Sequence, residues 1–220
     1  MPNINRHTLT RFALVLTILA LAAAFAACSQ PRPPISESLP NLSLGVAGFS
    51  QPRTVNELLA GVAYSEQQQL NDNVLLELDM ALQDTLLTES KHSFKPLPEA
   101  YACQNSVKGR NESLSALDYW LAVGQCLDVD VLMVPQIIFW RERDGGELGA
   151  QQPASVTLDM YLININQESL ISRYHFEETQ ESLSSNLLDI DKFVQRSGKW
   201  LTARDLAAEG MRRGVKELGL

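Results

Sequence analysis

Apolar residues recur along this chain at two spacings, and each spacing predicts a different element. Recurrence every three or four residues gives a helix one apolar face, whereas alternation gives a strand one apolar face. The helical spacing predicts helices at 73–88, 113–126, 182–195 and 202–218. The alternating or continuous apolar pattern predicts strands at 42–49, 93–97, 129–140, 156–163 and 170–176.

The last helix has the strongest local signals. It should begin at Thr202, because Asp205 follows three residues later in the spacing of a capping box. Its apolar stripe includes Gly210 and Gly214. We expect these two glycines to let the helix lie close to the sheet.

The strand at 129–140 is the most apolar stretch of the chain after the amino-terminal segment. It contains Pro135, which has no N–H to donate, so we expect a bulge or a sheet edge at that residue. The next strand alternates, and a polar turn at 166–169 should join it to 170–176 as a hairpin. Its predicted core face is Val156, Leu158, Met160 and Leu162, and its other face is Thr157, Asp159 and Tyr161.

The segments between these elements are more polar. A short helix is expected at 54–62, and irregular structure at 66–72 and 101–111. The range 141–154 is charged and rich in glycine, which predicts a long mobile loop. Together the elements predict an α/β fold, a single-layer mixed β-sheet of about five strands packed with helices in one domain at 41–220.

The amino-terminal segment predicts where the protein is located. Arg6 and Arg11 precede a short apolar run, and Ala26 and Ala27 precede Cys28. This pattern is typical of a secretory signal, here 1–27, that ends before a cysteine. The run is shorter than the ~20 residues of a spanning helix, which weighs against a membrane anchor. An ordinary cleaved signal with an incidental cysteine remains the other interpretation.

The end of this segment, Phe25 to Cys28, resembles the lipobox of bacterial lipoproteins. The resemblance implies that Cys28 carries lipid and anchors the protein to a membrane, since several acyl chains together hold a protein stably. Ser29 follows the cysteine, which in this class implies the outer membrane, with the protein facing the periplasm. The Pro- and Ser-rich range 28–40 then reads as a tether, or else as a leader without a spacing role.

The net charge of the chain bears on which partners it can bind. The net charge is −8, and removal of 1–27, with two arginines and no acidic residue, leaves −10. This excess of acidic residues argues against nucleic acid as a partner, although it also fits plain solubility.

With Cys28 lipidated, Cys103 and Cys126 remain, and we expect them to form a disulfide in an oxidising compartment rather than stay free. No Cys/His spacing indicates a metal site, and we expect no cofactor.

The range 42–218 resembles a family of periplasmic lipoproteins. The elements that carry the likeness are the strand 44–49, the helix and strand at 73–97, the apolar strand that follows Leu127, and the hairpin 156–176. Asp128 or Asp130 fits the family's aspartate between small residues. The family includes the curli-secretion channel subunit, the Pel polysaccharide-export lipoprotein and the outer-membrane activators of peptidoglycan synthases. It shares no catalytic residues, and the resemblance implies other envelope proteins, or further copies of the chain, as partners.

No residue pattern points to an enzyme. His92 and His175 lie in no recognisable motif, and Asp189 and Asp191 fit solvated helix positions better than an acid/base pair. Motifs for nucleophilic, metallopeptidase or phosphate-binding chemistry are absent from the sequence.

A surface for a partner is predicted where the most apolar strand ends. It comprises Phe139, Trp140, Arg141, Glu142, Arg143 and Asp144. The alternative is that the aromatic residues only close the core. The loop 141–154 should serve binding rather than folding, unless it is an insertion without a role.

The sequence thus predicts a non-catalytic assembly or interaction lipoprotein of a cell-envelope machine for secretion, polysaccharide export or peptidoglycan synthesis. A lipoprotein that binds glycan or another small ligand is the alternative, and clustered aromatic residues at a pocket would favour it.

Overall fold

The computed structural model describes residues 42–61, 69–109, 114–147, 149–180 and 199–220. The chain divides into two units, Met1–Ser36 and Glu37–Leu220, and all described residues belong to the second. The predicted signal, Cys28, the tether and the helix at 182–195 lie outside the described residues.

The main sheet has four strands in the order β1-β2-β5-β6, and β3 pairs with β4 in a second sheet. β1 runs parallel to β2, and the other pairs are antiparallel. The strands are β1 (Leu44–Val46), β2 (Val131–Arg141), β3 (Asp144–Gly146), β4 (Gly149–Gln152), β5 (Ser155–Asn164) and β6 (Ser169–Thr179). The helices are α1 (Asp72–Glu89), α2 (Leu97–Lys108), α3 (Ala116–Leu127) and α4 (Ala203–Glu217), with a 3-10 turn at Val55–Glu57.

Helices cover both faces of the main sheet, so the predicted α/β class with a mixed sheet is confirmed. On one face α1 and α4 pack on the even-numbered residues of β5 and form the larger core. On the other face α2 and α3 pack on residues of β2 and on Tyr161 and Ile163 of β5. The second face of β5 was expected to be the polar one, yet Thr157, Asp159 and Tyr161 are buried.

Pro135 lies in an interior strand, which corrects the expectation of an edge at that residue. β2 pairs with β5 along one side, but β1 follows its other side only over Val131–Met133. Beyond that point an isolated bridge joins Ser50 to Gln136. The missing N–H of Pro135 therefore falls where β1 has already ended. The register shift of β2 comes later, between Ile137 and Phe139.

The segment before α2 was assigned wrongly from its sequence. The strand expected at 93–97 is reduced to one bridge between Phe94 and Leu44, and the irregular range 101–111 is mostly α2. The reason is that Pro96 is the N-cap of α2 and Pro98 lies in its first turn, where a missing N–H costs no helical bond. The prolines start a helix here rather than end a strand.

A disulfide joins α2 to α3. The predicted pair, Cys103 and Cys126, is present, with the two Cα atoms 5.7 Å apart. Cys103, Val107 and Trp120 are buried together under the second face of the sheet. The bridge therefore fixes two helices that share one small core.

The range 141–154 is a hairpin rather than a mobile loop. β3 and β4 pair antiparallel with a register shift between Asp144 and Gly145. Gly145, in β3, has a φ of 112°, a conformation that favours glycine. An added Cβ at Gly145 would lie 2.7 Å from the carbonyl oxygen of Gly149. Gly145, one of the glycines that suggested irregular structure, is thus needed for this pairing, whereas an added Cβ at Gly146 or Gly149 would meet nothing within 4 Å.

The capping box and the close approach of the two glycines predicted for α4 are confirmed. The Thr202 side chain accepts a bond from the Asp205 N–H, and the Asp205 carboxylate accepts one from the Thr202 N–H. Gly210 and Gly214 bring the helix backbone against Phe176 and Tyr174 of β6. These contacts set the distance between α4 and the sheet.

We predict that Gly214→Ala lowers the free energy of unfolding by about 1–3 kcal/mol, because it overpacks this contact. The new Cβ would lie 2.5 Å from the Met160 sulfur and 2.7 Å from the Tyr174 ring. Urea denaturation followed by circular dichroism measures the change. Gly109→Ala is the matched control, since its nearest contact would be an ordinary 3.4 Å. Equal stability of the two variants would contradict the close packing of α4.

Candidate partner-binding site

The predicted surface at 139–144 begins at the end of β2. Trp140 is buried in the larger core and is the aromatic residue that closes it. Phe139 is half-buried, and the Arg141 guanidinium lies 5.9 Å from the centre of its ring. Arg141 also donates from Nε to the Pro153 carbonyl, at 3.2 Å, across the base of the hairpin. Phe139 and Arg141 therefore form a half-exposed pair beside the hairpin.

Glu142 and Arg143 hold the hairpin to the start of α4. Glu142 Oε1 accepts from the Ala203 N–H at 3.0 Å, which places a carboxylate at the positive end of that helix. Arg143 Nη1 donates to the Trp200 carbonyl. These two predicted site residues thus make internal contacts.

A second pair of contacts fixes the turn of the hairpin. The Trp200 N–H donates to the Glu147 carbonyl at 2.8 Å, and Lys199 Nζ lies 3.0 Å from the Glu147 carboxylate. Lys199 lowers the pKa of Glu147 through this hydrogen bond and through its charge. The hairpin therefore has fixed backbone positions at its base and at its turn.

The remaining surface of the hairpin is exposed. Its exposed residues include Asp144, Gly145, Gly146, Gly149, Gln151 and Gln152. They are small or polar and bury little apolar area, so they add little to stability. An anchored and exposed polar hairpin can present backbone and side-chain hydrogen-bonding groups to a partner.

A buried charged cluster on β5 and β6 was not predicted from the sequence. Asp159 has a side chain that is 1% exposed, and Arg173 binds both of its oxygens, at 3.1 and 2.9 Å. His175 Nδ1 lies 2.7 Å from Asp159 Oδ1, and the Tyr161 hydroxyl donates to Oδ2 at 3.0 Å. Burial and the nearby Asp159 charge raise the pKa of Tyr161. Four donor groups thus satisfy one buried carboxylate, as a buried charge requires.

The segment that covers this cluster includes Glu57 and Ala60, and buried side chains of β2 and β5 contact its backbone. The Tyr161 hydroxyl also lies 3.0 Å from the Ala60 carbonyl oxygen, so its single proton is shared between that oxygen and Asp159 Oδ2. Gln136, 1% exposed, donates to the Glu57 carbonyl at 3.0 Å. The only sequence signal was that Asp159, Arg173 and His175 occupy odd positions of two adjacent strands, which places them on one face. His175 is a hairpin residue, as expected, with its side chain engaged by Asp159.

Asp130, one of the two aspartates of the family resemblance, ties three elements together. Its carboxylate accepts from the N–H and the hydroxyl of Ser43, at 2.9 and 2.8 Å. It also accepts from Asn166 Nδ2 at 2.9 Å, in the turn between β5 and β6. The bonds from Ser43 and then Asn166 lower the pKa of Asp130. Asp128 instead takes the left-handed conformation that ends α3.

A pocket of about 290 Å³ lies between α1 and the segment 90–97. Asp79 lies in its wall, 3% exposed, and accepts bonds from the Phe49 N–H and the Tyr101 hydroxyl. Burial raises the pKa of Asp79 against the opposite effect of these two bonds. Burial and Asp79 also raise the pKa of Tyr101. His92 lines the pocket and Phe94 is its aromatic residue.

The described ranges contain neither a metal-binding cluster nor a membrane-spanning helix. No group of three or more His, Cys, Asp or Glu side chains there is placed to hold a metal ion. No helix in those ranges is both long enough and apolar enough to cross a membrane.

Comparison with known proteins gives matches among solved structures. The PelC dodecamer from Paraburkholderia phytofirmans is 10% identical, with a TM-score of 0.43, and the match covers 80% of this chain and 86% of that one. The C-terminal domain of LpoB from Escherichia coli is 13% identical, with a TM-score of 0.37 and coverage of 63% and 83%. Lipoprotein GNA1162 from Neisseria meningitidis is 12% identical, with a TM-score of 0.37 and coverage of 70% and 96%.

PelC and LpoB are of the group named above from the sequence, and GNA1162 is a further lipoprotein. At these identities the likeness concerns the fold alone. No protein-family model matches the chain, and no curated protein matches it.

We predict that Asp130 makes the stability of the protein fall in acid. Its pKa in the folded state lies below the ordinary value of 3.8, so its contribution is complete above that value. It is lost as the pH falls through the lower, folded pKa. Thermal melting from pH 7 to pH 2 should therefore show that Asp130→Asn destabilises the protein at pH 7 and that the difference from wild type shrinks in acid.

Asp84→Asn, at an exposed position of α1, is the control for the general effect of removing a carboxylate. A difference between wild type and Asp130→Asn that stays constant from pH 7 to pH 2 would contradict the proposed role of the carboxylate.

Proposed function

We propose that this chain is a membrane-anchored periplasmic lipoprotein and a non-catalytic interaction component of a cell-envelope machine. The observation that carries the proposal is the hairpin β3–β4, which is anchored at its base and turn while its polar strands stay exposed. Such a hairpin contributes little burial to the fold, and exposed segments that are positioned by a rigid scaffold commonly carry binding function.

The sequence and one structural feature support the location. Residues 1–27 have the features of a secretory signal, and Cys28 stands at its end as the lipid acceptor. The Cys103–Cys126 disulfide fits an oxidising compartment such as the periplasm. Placement in the outer membrane rests on Ser29 and is part of the proposal.

A periplasmic small-ligand-binding lipoprotein is the second candidate, and the pocket beside α1 is the observation that favours it. Its volume of about 290 Å³ is near the lower end for small-molecule sites. Glycan sites usually stack sugars on several aromatic rings, whereas this lining offers one phenyl ring, Phe94, and the imidazole of His92. The pocket therefore supports a small apolar ligand or group better than a glycan.

We predict that Cys28→Ala moves the protein from the membrane fraction to the soluble periplasmic fraction, because the acyl chains that anchor it are lost. Fractionation and immunoblotting measure the change, and intact-mass analysis of the wild type should show the added lipid. Ser29→Ala is the matched control and should stay with the membrane. An unmodified Cys28 in the native protein would rule out the anchor.

We predict that a photo-crosslinking amino acid at Asp144 or Gln151 forms a defined crosslinked complex in intact cells. Both positions are exposed on the hairpin and outside its anchoring contacts. The control position is Gln167, exposed in the β5–β6 turn at the other end of β5. Immunoblotting should show the complex from the hairpin positions and not from Gln167.

The anchoring residues must stay unchanged in this experiment. Replacing the whole range 142–150 would remove the bonds of Glu142, Arg143 and Glu147 and would confuse stability with binding. Equal crosslinking from all three positions, or none from any of them, would count against the hairpin as the binding surface.

A further inference from the structure

The outer edge of β1 leaves a backbone peptide group facing the pocket. Successive residues of a strand point their N–H and C=O groups to opposite sides. The bonds from Val131 N to the Ser43 carbonyl and from Ala47 N to the Met133 carbonyl show that Ser43 and Ala47 face β2. By this alternation Leu44, Val46 and Gly48 face away from the sheet.

Two of these three outward-facing residues have partners. The Leu44 carbonyl accepts from Lys95 N at 2.9 Å, and the Gly48 N–H donates to Gln104 Oε1 at 2.9 Å. Val46 lies between them, and no described residue bonds to its outward N–H or C=O. Buried backbone groups are nearly always paired. The N–H and C=O of Val46 are therefore an open position on this edge, where the backbone of a bound chain could pair.

The open position lies in the wall of the pocket. Val46 and Ala47 line it on the sheet side, with Leu82 and Leu86 of α1 on one flank and Phe94 opposite. These side chains are apolar, and the buried Asp79 adds a carboxylate to the lining, bonded to the Phe49 N–H and the Tyr101 hydroxyl. The rim is polar and includes Gln83, Ser90, Ser93 and Lys95. A backbone donor and acceptor thus stand beside an apolar space with room for one or two side chains.

An exposed apolar stripe continues from the mouth of the pocket along α1. Leu87 lines the pocket and is 78% exposed, while Met80 and Leu76 are 62% and 46% exposed. Their spacing of four and seven residues places them on one side of the helix. That side is nearly opposite to Leu78 and Leu82, which pack in the core. The stripe offers apolar contact to a chain that is longer than the pocket.

We propose that this pocket binds an extended segment of a partner protein by strand addition at Val46. The segment would accept a bond from the Val46 N–H and donate one to its C=O. One apolar side chain would enter between Leu82, Leu86 and Phe94, and its continuation would lie over Leu87 and Met80. An extended peptide offers a donor and an acceptor at strand spacing together with alternating side chains. The site is separate from the hairpin and does not depend on the function proposed for it.

The test uses the full ¹⁵N-labelled protein and blocked pentapeptides acetyl-Thr-Val-X-Val-Thr-amide, with X as Ala, Val, Leu or Phe. At least one peptide with a large apolar X should shift the Val46 amide signal and slow its hydrogen exchange. The same peptide with an N-methyl group on X should bind at least about tenfold more weakly, since it cannot donate the bond to Val46. This comparison uses wild-type protein only and does not depend on a variant that folds.

Two variants test the location. Ser93→Trp places a large ring at the exposed rim and should abolish the Val46 shift, whereas Gln151→Trp on the hairpin should leave it unchanged. Hexanoate serves as a small apolar probe without a peptide group. The proposal is overturned if no peptide shifts Val46, if the N-methylated peptide binds equally well, or if hexanoate fills the pocket and the peptides do not compete with it.

Discussion

The register of β5 is the constraint on which the rest of this structure depends. β5 lies between β2 and β6, and both of its faces are buried. Even-numbered residues such as Met160 face α1 and α4, and odd-numbered residues such as Asp159 face the other side. A slip of one residue would exchange the two faces and place the Asp159 charge in the apolar core. Arg173 and His175 of β6 meet that charge only in the observed register, so the charged cluster and the two cores specify the same pairing.

The elements predicted correctly from the sequence are those whose signals are local. α4 has a capping box and a continuous stripe within its own residues, and β2 is a long apolar run. The elements that were missed depend on distant partners. α2 is polar and buries Ala100, Cys103 and Val107 under a sheet formed largely by later residues, and its disulfide partner lies in α3. The polar face of β5 became buried because the segment near Ala60 folds over it, which no periodicity within β5 could show.

The candidate site at 139–144 was also predicted only in part from the sequence. The position of the surface at the end of β2 followed from the apolar run that precedes it. The separate roles of the residues within 139–144 could not be predicted from the sequence. They depend on contacts about 60 residues away in sequence, at Trp200 and Ala203. Trp140 packs in the core, Glu142 and Arg143 anchor the hairpin, and Asp144 stays exposed. Residue type alone cannot separate an arginine that holds the fold together from one that meets a partner.

Covering both faces of the sheet also determines where this fold can bind. Helices and the segment 51–61 occupy the faces, so large apolar surface near the strands is already buried. Backbone and side-chain groups remain available at the ends and edges of the sheet, and both surfaces proposed above lie there. The hairpin extends from one end of β2 and β5, and the open peptide group belongs to the short edge strand β1. β1 ends at Val46, and the Ala47 N–H still donates to the Met133 carbonyl of β2. The N–H groups of Gly48 and Phe49 then donate to Gln104 and Asp79 instead of to a strand. The side chains that end this strand therefore also limit how far an added strand can extend along it.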